Sequence, residues 1–386
     1  MQQPNPSERD SSRNGRATGE RSYIRPAERR RVPASDIVAK RSTDSFQKIL
    51  LVLTAVLTVS LVVLLAVLVV YRLKTNDIEQ EIAAAESHNA EVQKEIEALD
   101  ALATALDPIE EPPVYATYTD DTKILDDIRS EYAILIDVQN NEVIAHKNGD
   151  EKMYPASMTK VMTLIVAYEN IADMNETFTF DYTITDPAYQ AGASVAGFLS
   201  SETVPLIDIM YGIALPSGAD ATTAVAVKVA GSESEFAELM NKKAEEMGLE
   251  NTHFVNASGL HDDNHYSTPH EMAKILEYAM NIPLVAEILS TYKYTTTPTT
   301  QHPDGLLLVS TVFSRMYGDE PEVAEVIAGK TGYTHEASNC LASCAETLDG
   351  RRYILVTGKA LSTAEEGQYG AVYDAIYIYK NYIPQS

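Results

Sequence analysis

Hydrophobic and polar positions divide the chain into three stretches of different period. From Ile49 to Tyr71 the sequence carries no charge, and its only polar groups are those of Thr54, Thr58, Ser60 and the Tyr71 hydroxyl. At about 1.5 Å of rise per residue such a run spans the roughly 30 Å hydrocarbon core of a bilayer, and globular core helices rarely stay apolar on every face for so long. A transmembrane helix is predicted over 49–71. A cleaved signal peptide would sit nearer the start, whereas 48 residues precede this run and Tyr71-Arg72-Leu73-Lys74 follows it, so an uncleaved anchor is expected.

The period then changes. Ile78, Ile82, Ala85, Asn89, Val92, Ile96, Leu99, Ala103 and Leu106 recur at alternating spacings of four and three, a heptad seam with polar Asn89 at an a-like position. The seam predicts a helix over 72–106, either one strand of a homodimeric coiled coil or a single spacer helix. Asp107-Pro108-Ile109-Glu110-Glu111-Pro112-Pro113 breaks that helix, and 107–117 is expected to be a short stiff linker.

Beyond the linker, short segments of both periods predict a globular domain over 118–386, with order beginning near Tyr115. Ala133 to Val138 reads as a strand, 139–141 as a turn and Val143 to His146 as the hairpin partner. Val161 to Tyr168 and Ala219 to Ala230 are helical. Ser232-x-x-Glu235 is a capping box for a helix closing at Gly248, and Thr268-Pro269-x-Glu271 is another with proline at the first helical position. Arg352 to Thr357 reads as a strand and Ala371 to Tyr382 as a packing helix. Strands at both ends with helices between predict an α+β fold whose antiparallel sheet joins the two ends of the domain.

Composition sharpens this layout. With 45% hydrophobic residues in 386, the chain as a whole is not disordered. A net charge of -26, from 30 basic and 56 acidic side chains, argues against nucleic acid as a partner. The charge is uneven: residues 1–48 carry a net +5 and the remainder -31. Arg29, Arg30, Arg31, Lys40, Arg41 and Lys48 precede the apolar run closely, against Arg72 and Lys74 after it. The positive-inside bias therefore predicts a single-pass protein of the cell membrane, with a disordered basic tail over 1–48 in the cytoplasm and the globular domain outside. Cys340 and Cys344 are the only cysteines, which excludes a disulfide scaffold. Four apart on one expected strand, they would lie about 13 Å from each other, too far to bridge.

Three short motifs carry the candidate chemistry. Ser157-Met158-Thr159-Lys160 opens a helix, where positions three apart share a face and the lysine amine can meet the serine hydroxyl. A serine is a weak nucleophile until a base takes its proton, and a lysine serves as that base when burial and nearby positive charge lower its pKa. Ser217-Gly218-Ala219 lies on a loop between two helical stretches, and Lys330-Thr331-Gly332 in a strand. Ser-x-x-Lys, then a Ser-x-Asn type element, then Lys-Thr-Gly is the active-site set of penicillin-binding proteins and serine β-lactamases.

At these residues the chain resembles the serine D-Ala-D-Ala carboxypeptidases, the low-molecular-mass penicillin-binding proteins, over about 120–386. Tyr154 to Lys160, Leu215 to Ala221, Thr252 to Leu260, Tyr266-Ser267-Thr268 and Gly329 to Thr334 all look like that family's signature stretches. The resemblance implies a cleft between an antiparallel sheet and a helical subdomain. It implies that Ser157 attacks the penultimate D-Ala carbonyl of a peptidoglycan stem peptide while Lys160 takes its proton. Ser217, with Lys330 beside it, would relay the proton to the leaving amine. Lys330 and Thr331 would recognise the terminal carboxylate, and the N–H groups of Ser157 and Tyr333, next to Gly332, would form the oxyanion hole. β-Lactam antibiotics would acylate the same serine, and no cofactor or metal is implied.

One departure stands out: the second motif of the family usually ends in Asn, and Ala219 has no polar atom to replace it. Two rival readings follow. In the first, a degenerate peptidase domain binds wall peptides as a membrane-anchored scaffold, and the heptad helix, through residues 75–106, recruits a division or wall-synthesis protein. The second, a β-lactamase, lacks a Glu-x-x-Leu-Asn stretch between the second and third motifs. Weaker signals are set aside. Gly329-Lys330-Thr331 resembles the end of a phosphate loop, but the earlier glycine it requires is Ala324. His253, His261, His265 and His270 cluster without the second histidine of a zinc-protease helix.

Overall fold

The computed structural model describes residues 115–316, 318, 321–362 and 369–384. The basic tail, the apolar run, the heptad seam and most of the linker lie outside these residues.

The described chain opens with β1 (Thr117–Ile124), β2 (Tyr132–Asp137) and β3 (Glu142–Lys147). Asp137 fixes the turn between the last two by accepting from the backbone and side-chain nitrogens of Asn140 at 3.1 and 3.0 Å. Asn141 takes the left-handed φ of 54° that asparagine tolerates. A single 3-10 turn, Ala156–Thr159, leads into α1 (Lys160–Asn170). The helical body continues through β4 (Thr177–Thr179), α2 (Tyr182–Gln190), β5 (Thr203–Pro205), α3 (Leu206–Ala214), α4 (Ala219–Ala230) and α5 (Glu233–Glu246). Then follow α6 (Pro269–Met280), α7 (Pro283–Ser290), β6 (Lys293–Thr295), β7 (Leu307–Val309) and α8 (Thr311–Met316). Three long strands, β8 (Glu325–Thr334), β9 (Ser338–Glu346) and β10 (Arg352–Ala360), precede the final α9 (Gly370–Tyr382).

Six of these strands form one sheet in the order β1-β3-β2-β10-β9-β8. β10 runs antiparallel to both β2 and β9, so the two ends of the domain meet as the sequence predicts. The departure is at one edge, where β1 pairs in parallel with β3. That strand, Thr-Tyr-Thr-Asp-Asp-Thr-Lys-Ile, is almost wholly exposed and shows no apolar alternation, so the hydrophobic pattern gives no sign of it.

Strand alternation divides the core in two. Ala133, Leu135, Tyr353 and Leu355 pack with α9 through Ala375, Ile378 and Tyr379 on one face. Ile134, Ile136, Ile354 and Val356 face the helical body, against Val161, Leu164 and Ile165 of α1. Because both faces are covered, β2 reads as a continuous apolar run. Both capping boxes form: the Ser232 hydroxyl accepts from the Glu235 N–H at 3.1 Å, and the Thr268 hydroxyl from the Glu271 N–H at 3.1 Å. Gly248, at φ +66°, follows the end of α5. Cys340 and Cys344 are free, buried in β9 on the helical face, and burial pushes both thiols up to about 12.

Candidate active site

A cleft of about 380 Å³ opens between β8 and the helical body. Ser157 enters it from the 3-10 turn before α1. Ala156 holds that turn at φ 46°, a conformation costly for a non-glycine residue and fixed here by packing. Two glycines permit this packing. A methyl group at Gly259, itself at φ +81°, would fall 1.9 Å from the Ala156 carbonyl oxygen, and one at Gly332 would fall 3.0 Å from that of Pro155 and 3.1 Å from the Ser157 nitrogen. The Lys-Thr-Gly strand therefore lies directly on the serine turn.

The first motif assembles as the sequence predicts. The Lys160 amine donates to the Ser157 hydroxyl at 3.0 Å and to the Ser258 carbonyl at 2.7 Å. Burial lowers its pKa to about 7, against the weaker opposing pull of Glu233 and Asp220. An amine so placed is substantially neutral near neutral pH and has a lone pair for the serine proton.

On the opposite wall the Lys330 amine donates to the Ser217 hydroxyl at 2.8 Å and to the Thr331 carbonyl at 2.9 Å. Burial, and then the charges of Lys160 and Arg315, hold Lys330 well below the usual lysine range. Ser217 occupies a left-handed φ of 66° between α3 and α4. The Thr331 hydroxyl meets that of Thr311 at 2.7 Å, and the Thr311 N–H donates to the Leu215 carbonyl at 3.0 Å, tying α8 to the second motif. Gly332 and Tyr333 complete the wall, with Tyr333 exposed.

Several groups lining the cleft are not legible as motifs: Ser258 through its carbonyl, Thr311, Arg315 and the Ala191–Ser194 stretch. Asp220, buried at the start of α4, holds the segment that follows that last stretch. Its carboxylate accepts from the N–H groups of Ala196, Gly197 and Phe198 at 2.7, 3.0 and 3.2 Å. The Ala219 N–H donates to the Ser194 carbonyl at 2.8 Å. Ala219 thus contributes a backbone anchor for the loop where an asparagine would add an amide.

The histidines near the cleft have other partners. His265 is buried between the Thr159 hydroxyl at 2.8 Å and the Val255 N–H at 3.1 Å, and burial lowers it to about 4. His253 Nδ1 meets the Asn264 carbonyl at 2.6 Å, and His270 Nδ1 meets Asp150 at 2.8 Å. Among the described residues no group of three His, Cys, Asp or Glu side chains is placed to hold a metal ion.

Comparison with known proteins agrees with this geometry. The family model of the D-alanyl-D-alanine carboxypeptidases matches residues 118–361. The D-alanyl-D-alanine carboxypeptidase DacF of Bacillus subtilis is 32% identical over 242 residues, which cover 63% of this chain and 60% of the relative. DacA of Haemophilus influenzae is 31% identical, covering 59% of this chain and 56% of the relative. The chain therefore spans no more than about three fifths of the length of these curated relatives. Among solved structures, a Streptomyces DD-transpeptidase superposes with a TM-score of 0.57 at 25% identity, covering 66% of this chain and 97% of the other. A Mycobacterium tuberculosis D-alanyl-D-alanine carboxypeptidase gives 0.57 at 25% identity, covering 70% and 94%. The fold is that α+β arrangement of an antiparallel sheet with a helical body, and the chain belongs to the D-alanyl-D-alanine carboxypeptidase family of serine peptidases.

Proposed function

We propose that the chain is a penicillin-sensitive serine D-Ala-D-Ala carboxypeptidase that trims peptidoglycan stem peptides. The observation that carries this is the 3.0 Å contact between the Ser157 hydroxyl and a buried lysine amine whose pKa is lowered to about 7. Ser157 Oγ attacks the penultimate D-Ala carbonyl as its proton passes to Lys160. The oxyanion forms at the N–H groups of Ser157 and Tyr333, on the strand that packs against the serine turn. Collapse breaks the amide bond, and the leaving nitrogen of D-Ala takes a proton through Ser217 and its partner Lys330. Water then cleaves the acyl ester. The terminal carboxylate is held by the Thr331 hydroxyl with the positive charge of Arg315 in the same cleft. A β-lactam follows the same first step and stays as an ester on Ser157. We also assign the apolar run over 49–71 as the anchor that holds this domain outside the cell membrane, supported by the excess of Lys and Arg before it.

The test is twofold. Mass spectrometry of the intact chain with benzylpenicillin should show one adduct, absent from Ser157→Ala, and a pentapeptide ending in D-Ala-D-Ala should release D-Ala. A folded chain that takes no adduct overturns the serine assignment. An adduct without D-Ala release favours the scaffold reading, and rapid turnover of penicillin favours the β-lactamase reading.

A further inference from the structure

Thr311 joins the second motif to the third. It opens α8, where a first-turn N–H has no acceptor within its own helix, and that N–H donates to the Leu215 carbonyl at 3.0 Å, two residues before Ser217. Its hydroxyl meets that of Thr331 at 2.7 Å. The helix that carries it is held in place. Val312 and Met316 are buried in the core that packs with α9, and the Ser310 N–H donates to the Tyr292 carbonyl at 2.8 Å. Thr311 and Arg315, also four residues apart, share the neighbouring face and line the cleft. We propose that Thr311 is a positioning residue: its hydroxyl donates to that of Thr331, leaves the Thr331 proton for the substrate's terminal carboxylate, and so sets the preference of the cleft for ligands that end in a carboxylate. This rests on the peptidase reading above.

Proton counting gives the direction of the bond. Each hydroxyl has one proton and two lone pairs, so a single proton lies between the two oxygens and the other is free. With Thr331 as the donor, its oxygen would offer a carboxylate only lone pairs, which repel it. With Thr311 as the donor, the Thr331 proton is free and a carboxylate takes it in a charge-assisted bond. A carboxylate can only accept, so its arrival selects this second arrangement, and the two bonds in series polarise each other. Thr331 is 5% exposed, which leaves little room for water to take the place of Thr311 behind it. Without the Thr311 hydroxyl, the Thr331 oxygen in the complex therefore keeps an unmet lone pair. An esterified or amidated terminus makes only a neutral bond to the same proton and loses less when that bond weakens.

The experiment uses the full-length chain in detergent with benzylpenicillin and its methyl ester, and takes the ratio of their second-order acylation rates from the growth of the adduct by mass spectrometry. The wild-type ratio should favour the free carboxylate. Thr311→Val keeps the shape of the side chain and the backbone bond to Leu215 but removes the hydroxyl, and it should shrink the ratio about five- to tenfold, the worth of one hydrogen bond. Thr311→Ser restores the hydroxyl and should keep the ratio within about twofold of wild type. In a Thr331→Val background, adding Thr311→Val should change the ratio no further. A wild-type ratio near one overturns the proposal. A Thr311→Val chain that slows both compounds alike also overturns it and makes Thr311 a structural tie, as does a Thr311→Ser ratio as low as that of Thr311→Val or a further loss in the double variant. If neither compound gives an adduct, the peptidase reading fails and the positioning role is still tested by ligand-observed NMR with N-acetyl-D-Ala-D-Ala and its C-terminal amide. Wild type should bind the acid more tightly than the amide, and Thr311→Val should narrow that difference. The same difference in both chains, or none in wild type, overturns the proposal on its own.

Discussion

The Lys160 amine lies 3.0 Å from the Ser157 hydroxyl, in a setting that removes it from water and lowers its pKa to about 7. An amine must be neutral to accept a proton, and it is neutral above its pKa. The second-order rate of acylation by benzylpenicillin should therefore rise with pH through about 7 and level off above it, falling about tenfold per unit well below. Lys160→Arg, always charged, should lose about 100-fold or more at every pH. A rate independent of pH between 5 and 9 would remove Lys160 as the base.

Gly259→Ala would put a methyl group 1.9 Å from the Ala156 carbonyl, in a backbone conformation at φ +81°. The serine turn must then shift, and we expect a loss of about 2–3 kcal/mol together with slower acylation. Gly350→Ala has the same φ of +81° but nothing within 4 Å of the new methyl. It should cost only about 1–2 kcal/mol, with acylation unchanged. Thermal unfolding and adduct formation on both variants separate the clash from the conformational cost; equal losses contradict the packing argument.

Asp220→Ala leaves the N–H groups of Ala196, Gly197 and Phe198 without their acceptor. Stability should fall by about 3–5 kcal/mol, with Asp220→Asn intermediate because one amide oxygen can still accept. Urea titration gives the two values. Equal unfolding midpoints for wild type and Asp220→Ala would show that the loop does not depend on the carboxylate.

His265 gives a pH dependence of opposite origin. Burial lowers its pKa from 6.5 to about 4, so between those values the unfolded chain binds more protons than the folded one. Stability should thus be full above about pH 6.5 and fall as pH drops toward 4. His265→Gln should flatten that part of the curve. Denaturant midpoints from pH 4 to 8 that run parallel in the two proteins would contradict the assignment.

The motifs were legible because their chemistry demands particular side chains: Ser157, Lys160, Ser217 and Thr331 line one cleft, as the family resemblance implied, and Lys330 stands buried behind it, donating to Ser217. β2 and β10 were legible through apolar runs, and α5 and α6 through their capping boxes. What escaped depends on backbone atoms or on distance in sequence. The Ser258 carbonyl that receives the Lys160 amine leaves no trace in residue identity. Arg315 and Thr311 belong to a six-residue helix without periodicity. Asp220 stood in a recognised stretch, but its three acceptor contacts reach 22 to 24 residues back. β1 escaped because it is an exposed, polar edge strand, held by its parallel ladder to β3.

The strand order has a consequence for how the protein is made. β8 is tied to the opening hairpin only through β9 and then β10, which pairs with β2 over six residues from Tyr353 to Gly358. As the ribosome delivers the chain, Ser157 emerges some two hundred residues before that final strand. Until the last ladder closes, Ser157 and Lys330 sit on parts of the chain that no sheet yet joins. Chains cut short before Arg352 carry all three motifs yet lack the strand that unites them, so a truncated product keeps the residues of the site without its frame.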